Sequence, residues 1–173
     1  MKKYVIGIDG SGIDEMLKGI EDEKRWLNQK CEELSSRLAT MGALSASFGF
    51  SRAIYSGTND FSVEVNRIGE NAYSVTASGE TVLFVEFGSG LIGYGHPEVG
   101  EYGPGTYPGK GHWDQPQGWW YPTEDAGVGY KTSKKTGTMY AHTFGNPPNM
   151  PMYNSVKELE GELTRLVKEV FAR

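Results

Sequence analysis

His96 and His112 have the clearest potential for metal chemistry, because each is followed two positions later by a carboxylate. His96 precedes Glu98 and His112 precedes Asp114. Imidazole and carboxylate groups are zinc ligands, and a site with one open position can activate water for hydrolysis. Neither pair lies in a predicted helix or strand, and the sequence has no H-E-x-x-H or C-x-x-C motif. We therefore predict no metal, cofactor or catalytic residue, and keep a metal-dependent cell-wall hydrolase using His96, His112 and Asp114 as an alternative.

A cluster of aromatic residues comes just after the second histidine, namely Trp113, Trp119, Trp120 and Tyr121. Aromatic faces beside amide side chains suit a carbohydrate-binding groove, but tryptophan and tyrosine are also enriched at protein–protein interfaces. Packing of the cluster on the chain's own sheet is a third explanation. We favour an interface and keep a carbohydrate-binding module as an alternative.

Two further features that suggest chemistry have simpler explanations. The segment Gly7–Gly12 lies between a predicted strand and a predicted helix, but it matches neither the phosphate-loop nor the dinucleotide-binding glycine pattern. Its glycines are expected to form a turn. Cys31 lies on the apolar stripe of the predicted helix, where a thiol is usually buried and unreactive.

Composition and charge set the broad class of the protein. The 173 residues correspond to one domain, and the single cysteine excludes an internal disulfide framework. A balance of 17 basic against 22 acidic residues argues against broad nucleic-acid binding. The apolar run Tyr4–Ile8 is shorter than the roughly 7–15 residues of a signal-peptide core, and no stretch approaches the ~20 residues of a membrane span. We expect a soluble product made in the cytoplasm, with no membrane partner.

A long amphipathic helix is the most prominent predicted element. Ser11 and Asp14 approximate a capping box, and the following apolar residues predict a helix of about 28 residues. Such a helix lies across a sheet or projects towards a partner, and packing on its own sheet is the simpler expectation. Gly42 to Gly57 is expected to be a remnant of the helix or an irregular connection. The stripe has Lys24 in its one gap and consists of Ile13, Leu17, Ile20, Leu27, Cys31, Leu34, Leu38 and Met41.

The remaining pattern predicts an α+β fold. A short strand is expected at Tyr4–Ile8, and an antiparallel meander is expected over three runs of residues. A glycine-rich region follows: residues 88–131 hold 12 of the 24 glycines and 5 of the 8 prolines. Within and after it, short strands are expected near Trp119–Tyr121 and Met139–Phe144, and Ser155 with Glu158 forms a capping box for a closing helix. The three meander strands are Phe61–Ile68, Ala72–Ala77 and Thr81–Phe87.

One stretch resembles a known protein family. The residues Ala77-Ser78-Gly79, followed by Phe84-Val85-Glu86-Phe87-Gly88-Ser89-Gly90, are similar to an A-x-G … F-x-E-F-G-[TS]-G signature. That signature belongs to the neck or tail-completion proteins of long-tailed phages and prophages, also described as minor capsid or tail-component proteins. The proline-rich stretch from Asn146 to Ser155 resembles the family's ending, with Met150-Pro151-Met152 and Tyr153-Asn154-Ser155 in place of the usual phenylalanine and alanine. The resemblance covers about 1–93 and 139–173, so 94–138 is interpreted as an inserted loop in a single domain, 1–173.

The resemblance implies a structural virion protein that joins the DNA-filled head to the tail. Such proteins assemble as rings, typically hexamers, in the host bacterial cytoplasm. The implied partners are further copies of the chain, head-closure or connector proteins and tail-tube proteins, with DNA passing through unbound. The family contributes no catalytic residue. Interface candidates from the signature and from the aromatic cluster are Glu86, Phe87, Gly88, Gly90, Trp113, Trp119, Trp120 and Tyr121.

Overall fold

A computed structural model of the chain describes residues 7, 12–54, 59–90, 117–124 and 130–172. Within these residues it has three helices, α1 (Ile13–Ser51), α2 (Val82–Phe87) and α3 (Pro151–Val170). The predicted α+β class is confirmed. The predicted strand Tyr4–Ile8, and most of the predicted insertion, lie outside the described residues. The strands are β1 (Ser62–Gly69), β2 (Ala72–Ser78), β3 (Trp119–Pro122), β4 (Tyr130–Thr132), β5 (Met139–Thr143) and β6 (Gly145–Asn146).

Helix α1 is longer than the sequence pattern indicated. It has 39 residues, about 58 Å at 1.5 Å per residue, and continues to Ser51, into the segment expected to be a helix remnant or an irregular connection. Its N-cap is Gly12, one residue after the predicted cap, and Ser11 itself lies outside the described residues. Asp14 and Glu15 lie in the first turn, where negative charge favours the helix dipole.

Helix α3 runs antiparallel to α1 and packs against its C-terminal half. Gly49 lies against Pro151 at the start of α3, and the Trp26 ring meets the Phe171 ring edge-on at 5.9 Å, just past its end. The seam on α1 consists of the small residues Ala39, Gly42, Ala46 and Gly49, at spacings of three and four. Small side chains let two helix backbones approach closely. The contact with α3 therefore stabilises α1 at these glycines, and the helix continues through them.

We expect Gly49→Ala to destabilise the protein, although alanine is the better helix former. A Cβ at this position would lie 2.7 Å from Pro151 Cβ and 3.1 Å from Pro151 Cα, so backbone would have to move. Overpacking costs about 1–3 kcal/mol, and the helix-propensity gain of up to ~1 kcal/mol does not offset it. Gly161→Ala is the matched control, because a Cβ there meets nothing within 4 Å. Urea unfolding should show a loss for the first variant and a gain of about 0.5–1 kcal/mol for the second.

Strands β1 and β2 form the predicted hairpin, with its turn at Glu70 and Asn71. The Glu32 carboxylate on α1 holds the turn region: it accepts hydrogen bonds from Asn71 N–H (3.0 Å) and Tyr73 O–H (2.6 Å) and pairs with Arg67 (3.1 Å). The hydrogen bond from Tyr73 is the main cause that lowers the pKa of Glu32. The hairpin therefore packs along the middle and C-terminal half of α1.

The third predicted meander strand, Thr81–Phe87, was wrong: Val82–Phe87 is the helix α2. An apolar run of this length fits a buried strand or a buried helix equally well. Here the helix lets Val82 and Val85, three residues apart, pack together on Phe50. The core cluster of Phe50, Val82 and Val85 lies where the end of α1, the hairpin and α2 meet.

The start of the closing helix also differs from the prediction. Helix α3 begins at Pro151, four residues before the predicted cap, with Met150 in the left-handed conformation (φ 51°) ahead of it. Proline suits the first helical position, because its missing N–H would have no helical partner there. Ser155 is inside the helix and donates its hydroxyl to Met152 O at 2.7 Å.

A second sheet has the strand order β3-β5-β4, with both pairs antiparallel. Strands β3 and β5 were predicted, and β4 falls in the stretch expected to be a loop. The sheet connects to the helices through bridges from Ser89 to Asn146 and from Gly90 to Gly145. It therefore joins the rest of the fold at the segment that carries the family resemblance.

Candidate functional site

Glu86 of the signature lies inside the chain. Its side chain is only 6% exposed and accepts hydrogen bonds from the backbone N–H groups of Met152 (2.8 Å) and Tyr153 (3.0 Å). These N–H groups belong to the first turn of α3 and have no partner within the helix. Burial raises the pKa of Glu86, and the two backbone hydrogen bonds oppose that rise. Glu86 thus caps α3 from a distant part of the sequence.

The signature glycines allow close approach of two chain segments. Gly88 (φ 78°) and Gly90 (φ 62°) are both buried and both in the left-handed region. A Cβ on Gly88 would lie 2.7 Å from Pro148 N, and one on Gly90 would lie 2.4 Å from Phe144 O. Phe87, between them and Glu86, is half-buried. The predicted interface residues Glu86, Gly88 and Gly90 are therefore positions where α2, α3 and the second sheet are joined, not part of the monomer surface.

The aromatic candidates separate into two groups. Trp119 is half-buried and lies close to Gly90, and Tyr121 is half-buried as well. Trp120 is 40% exposed on the opposite face of the strand, and Trp113 lies outside the described residues. Among the described residues of the aromatic cluster, Trp120 is the most exposed to solvent.

Trp120 belongs to an exposed aromatic ladder on the second sheet. Its ring lies 4.8 Å from the His142 ring on β5, and His142 meets Phe144 edge-on at 4.9 Å. Lys131 Nζ lies 4.4 Å above the Trp120 ring in a cation–π contact. A shallow depression of about 400 Å³ beside the ladder is lined by Trp120, Lys131, Tyr140 and two small hydroxyl residues. Aromatic faces can stack on sugar rings, and the neighbouring hydroxyl and ammonium groups can form hydrogen bonds with sugar hydroxyls.

The structure gives no support for metal chemistry in its described part. Across residues 12–54, 59–90, 117–124 and 130–172, no three His, Cys, Asp or Glu side chains come together as metal ligands. The described histidine, His142, donates a hydrogen bond from its Nε2–H to Gln117 O at 2.9 Å. The proposed ligands His96, His112 and Asp114 lie outside the described residues.

Among the described residues, several large apolar side chains on α1 are exposed. The end of α3 reaches α1 at Trp26, so the preceding three turns of α1 extend past it. On these turns the predicted stripe faces solvent: Ile13 is 43% exposed, Leu17 51% and Ile20 52%, and Leu27 just beyond is 47%. We call these four residues the α1 stripe. The expectation that the predicted helix stripe packs on the chain's own sheet was wrong for this half of the helix.

A second exposed stripe lies on α3. Val156 is 51% exposed, Leu163 43% and Val167 37%, and their spacing of seven and four places them on one helix face. We call these three residues the α3 stripe. Leu166 (3%) and Val170 (1%), on the same helix, are apolar residues that the fold buries. In the sequence, both sets belong to one apolar face of the closing helix, which is wider than α1 covers and consists of Val156, Leu159, Leu163, Leu166, Val167, Val170 and Phe171.

No protein-family model, curated protein or solved structure matches this chain. None of the helices among the described residues combines the length and hydropathy needed to span a membrane.

Proposed function

We propose that this chain is a structural subunit of the neck of a long-tailed phage or prophage, which joins head and tail by assembling with copies of itself into a ring. The observation that carries the proposal is the α1 stripe, whose four large apolar side chains are each more than 40% exposed. Contiguous apolar surface of this kind marks an interaction site on a soluble protein. A head-to-tail contact that closes by rotation produces a ring.

The family resemblance agrees with this proposal through its signature residues. Glu86, Gly88 and Gly90 hold α2, α3 and the second sheet together by a buried cap and close backbone contacts. A signature made of such residues preserves a fold without preserving any catalytic group, as expected for a protein that acts by assembly. The net charge of −5 would also let DNA pass through a ring without sticking.

The first test is self-association of the purified protein. Native mass spectrometry and light scattering over a wide concentration range should show growth towards a closed ring. Leu17→Gln combined with Ile20→Gln should raise the dissociation constant by about 100-fold, because each polar replacement removes roughly 1–2 kcal/mol of apolar burial at the contact. Ile68→Gln is the matched control, since Ile68 is 67% exposed on β1, away from the stripe.

Two outcomes would count against self-association through α1. One is a double variant that assembles as well as the wild type. The other is a control variant that loses assembly to the same extent, which would indicate a general loss of solubility or folding. Because the replaced side chains are exposed, we expect each variant to keep its helix content. Circular dichroism of each variant measures this directly.

The neck role has its own test in a lysogen that carries the gene. Deleting the gene and inducing the prophage should give DNA-filled heads and separate tails, and complementation should restore joined particles. The protein should also be found by mass spectrometry in purified wild-type particles. Joined, infectious particles from the deletion strain would overturn the neck proposal.

The exposed ladder around Trp120 favours a second candidate, a carbohydrate-binding module. Glycan-array binding that is lost on Trp120→Ala, with an unchanged oligomeric state, would support it. Trp120 is the most exposed of the described tryptophans, so this single substitution is a direct test. The absence of binding to any bacterial cell-wall glycan would remove this candidate.

A further inference from the structure

We propose that the α1 stripe of one copy docks on the α3 stripe of the next copy, with Lys24 facing Glu160. The inference rests on the ring proposed above and names the two surfaces that form its contact. From Leu17 to Leu27 the α1 stripe covers ten residue steps, and the α3 stripe covers eleven steps from Val156 to Val167. These are about 15 and 17 Å of helix, so this part of the α1 stripe matches the α3 stripe in length, and Ile13 lies beyond it.

Each stripe has one charged residue among its apolar side chains, and the charges are opposite. Lys24 is exposed and lies between Ile20 and Leu27 on α1. Glu160 lies between Val156 and Leu163 on α3, with 60% of its side chain exposed. In the described structure, Glu160 pairs with Lys157 at 3.0 Å, an exposed contact of small energetic value. A partner that buries either stripe must therefore offer a charge opposite to the one in that stripe.

Pairing of like stripes does not satisfy this condition. Two α1 stripes would bury two Lys24 ammonium groups without an acidic residue in either stripe, and two α3 stripes would bury two Glu160 carboxylates. An uncompensated buried charge is strongly destabilising. The mixed pairing gives each charge its partner. It also uses different surfaces on the two copies, which is the head-to-tail contact that a ring requires.

The spacing of the stripes fits the helix direction expected in a ring. When the helices run along the ring axis, every copy of α1 points the same way. A neighbour's α3, antiparallel to its own α1, is then antiparallel to this α1 as well. With Lys24 opposite Glu160, the antiparallel register places Ile20 near Leu163, to within one residue. The same register places Leu27 near Val156 and Leu17 near Val167.

A charge exchange tests the pairing. Lys24→Glu and Glu160→Lys should each raise the dissociation constant of the assembly at least tenfold, because two like charges then meet inside the contact. The double variant should return to within about threefold of the wild type, since it restores the pair with its signs reversed. An equimolar mixture of the two single variants should also assemble, with the two proteins alternating around the ring.

The controls place the same charge changes elsewhere on each helix. Lys18→Glu lies on α1 outside the stripe. Glu162→Lys lies on α3 and removes the same kind of intrachain pair, the one with Arg165 at 2.6 Å. Neither control should change assembly more than about twofold, because exposed pairs contribute little.

Each outcome distinguishes this inference from the proposed function. A ring that forms in the wild type and is insensitive to both single substitutions overturns the α1–α3 contact and leaves the neck role standing. A double variant no better than the single variants does the same. A wild-type chain that stays monomeric at every concentration overturns the contact too, whereas the gene-deletion experiment still decides the neck role.

Discussion

Replacing Glu86 with alanine should lower the free energy of unfolding by about 2–4 kcal/mol, although the residue is neither in the hydrophobic core nor part of a salt bridge. The substitution leaves the N–H groups of Met152 and Tyr153 without the carboxylate that accepts both hydrogen bonds. Each unsatisfied, partly buried donor costs about 1–3 kcal/mol. Urea unfolding followed by circular dichroism measures the loss. A cost below about 0.5 kcal/mol would mean that water replaces the carboxylate at no penalty.

Glu86→Gln separates the charge of this residue from its hydrogen bonds. Burial raises the pKa of Glu86 above its ordinary value of 4.5. The part of its stability contribution that depends on protonation is therefore fully present below pH 4.5 and is lost as the pH rises through the raised pKa, because the folded state prefers the protonated form. The wild type should lose stability relative to Glu86→Gln across this window. A difference between the two proteins that does not change with pH would contradict the raised pKa.

Phe50→Ala should cost about 3–5 kcal/mol, the usual range for removing a fully buried phenylalanine. The Phe50 side chain is 0% exposed, packs on Val82 and Val85, and stacks on Phe61 with ring centroids 5.3 Å apart. The substitution leaves a cavity where α1, the hairpin and α2 meet, so all three elements lose contacts at once.

Phe48→Ala is the matched control, because Phe48 is on the same helix turn but 60% exposed. Its replacement should cost less than about 1 kcal/mol. Thermal unfolding of both variants distinguishes the effect of burial from the effect of helix propensity. Equal losses in the two variants would mean that the core is not centred on Phe50.

Local patterns were sufficient for the parts of the fold with a regular period or a strong turn. The hairpin was predicted because Gly69-Glu70-Asn71 separates two alternating runs, and both helices were predicted from their apolar stripes. Helix α2 was not, because an apolar run of six or seven residues carries no period that distinguishes helix from strand. What decides its conformation is Phe50, about thirty residues away in the sequence.

The same dependence on distant partners explains the misplaced helix ends. Gly42 and Gly49 usually indicate a break, but here the neighbouring α3 requires small residues at these positions. The start of α3 was placed at Ser155 because a local capping box is visible there. The cap that the structure uses comes from Glu86, which no local pattern connects to Pro151.

For the candidate site, the sequence provided the residues but not their exposure. The apolar stripe of α1 and the charged gap at Lys24 were both visible in the spacing of the side chains. Which part of the stripe is covered depends on how far α3 extends along α1, and the end of α3 lies beside Trp26. The exposed face of α3 was hidden for a related reason, because Val156 and Leu163 share an apolar pattern with residues that the fold buries.

The continuity of α1 gives it a mechanical role in a ring built as proposed. One end of this helix is anchored in the core at Phe50, and the other carries the contact with the neighbouring copy. The turns of α1 before Trp26 extend about 20 Å past the seam with α3. If α1 tilts by about 5° at that seam, its N-terminal end at Ile13 therefore moves by about 2 Å. In such a ring, the packing of Gly49 on Pro151 would help to set the angle of α1 and, with it, the diameter of the ring. Loosening that fit would widen the distribution of ring sizes before it unfolds any subunit.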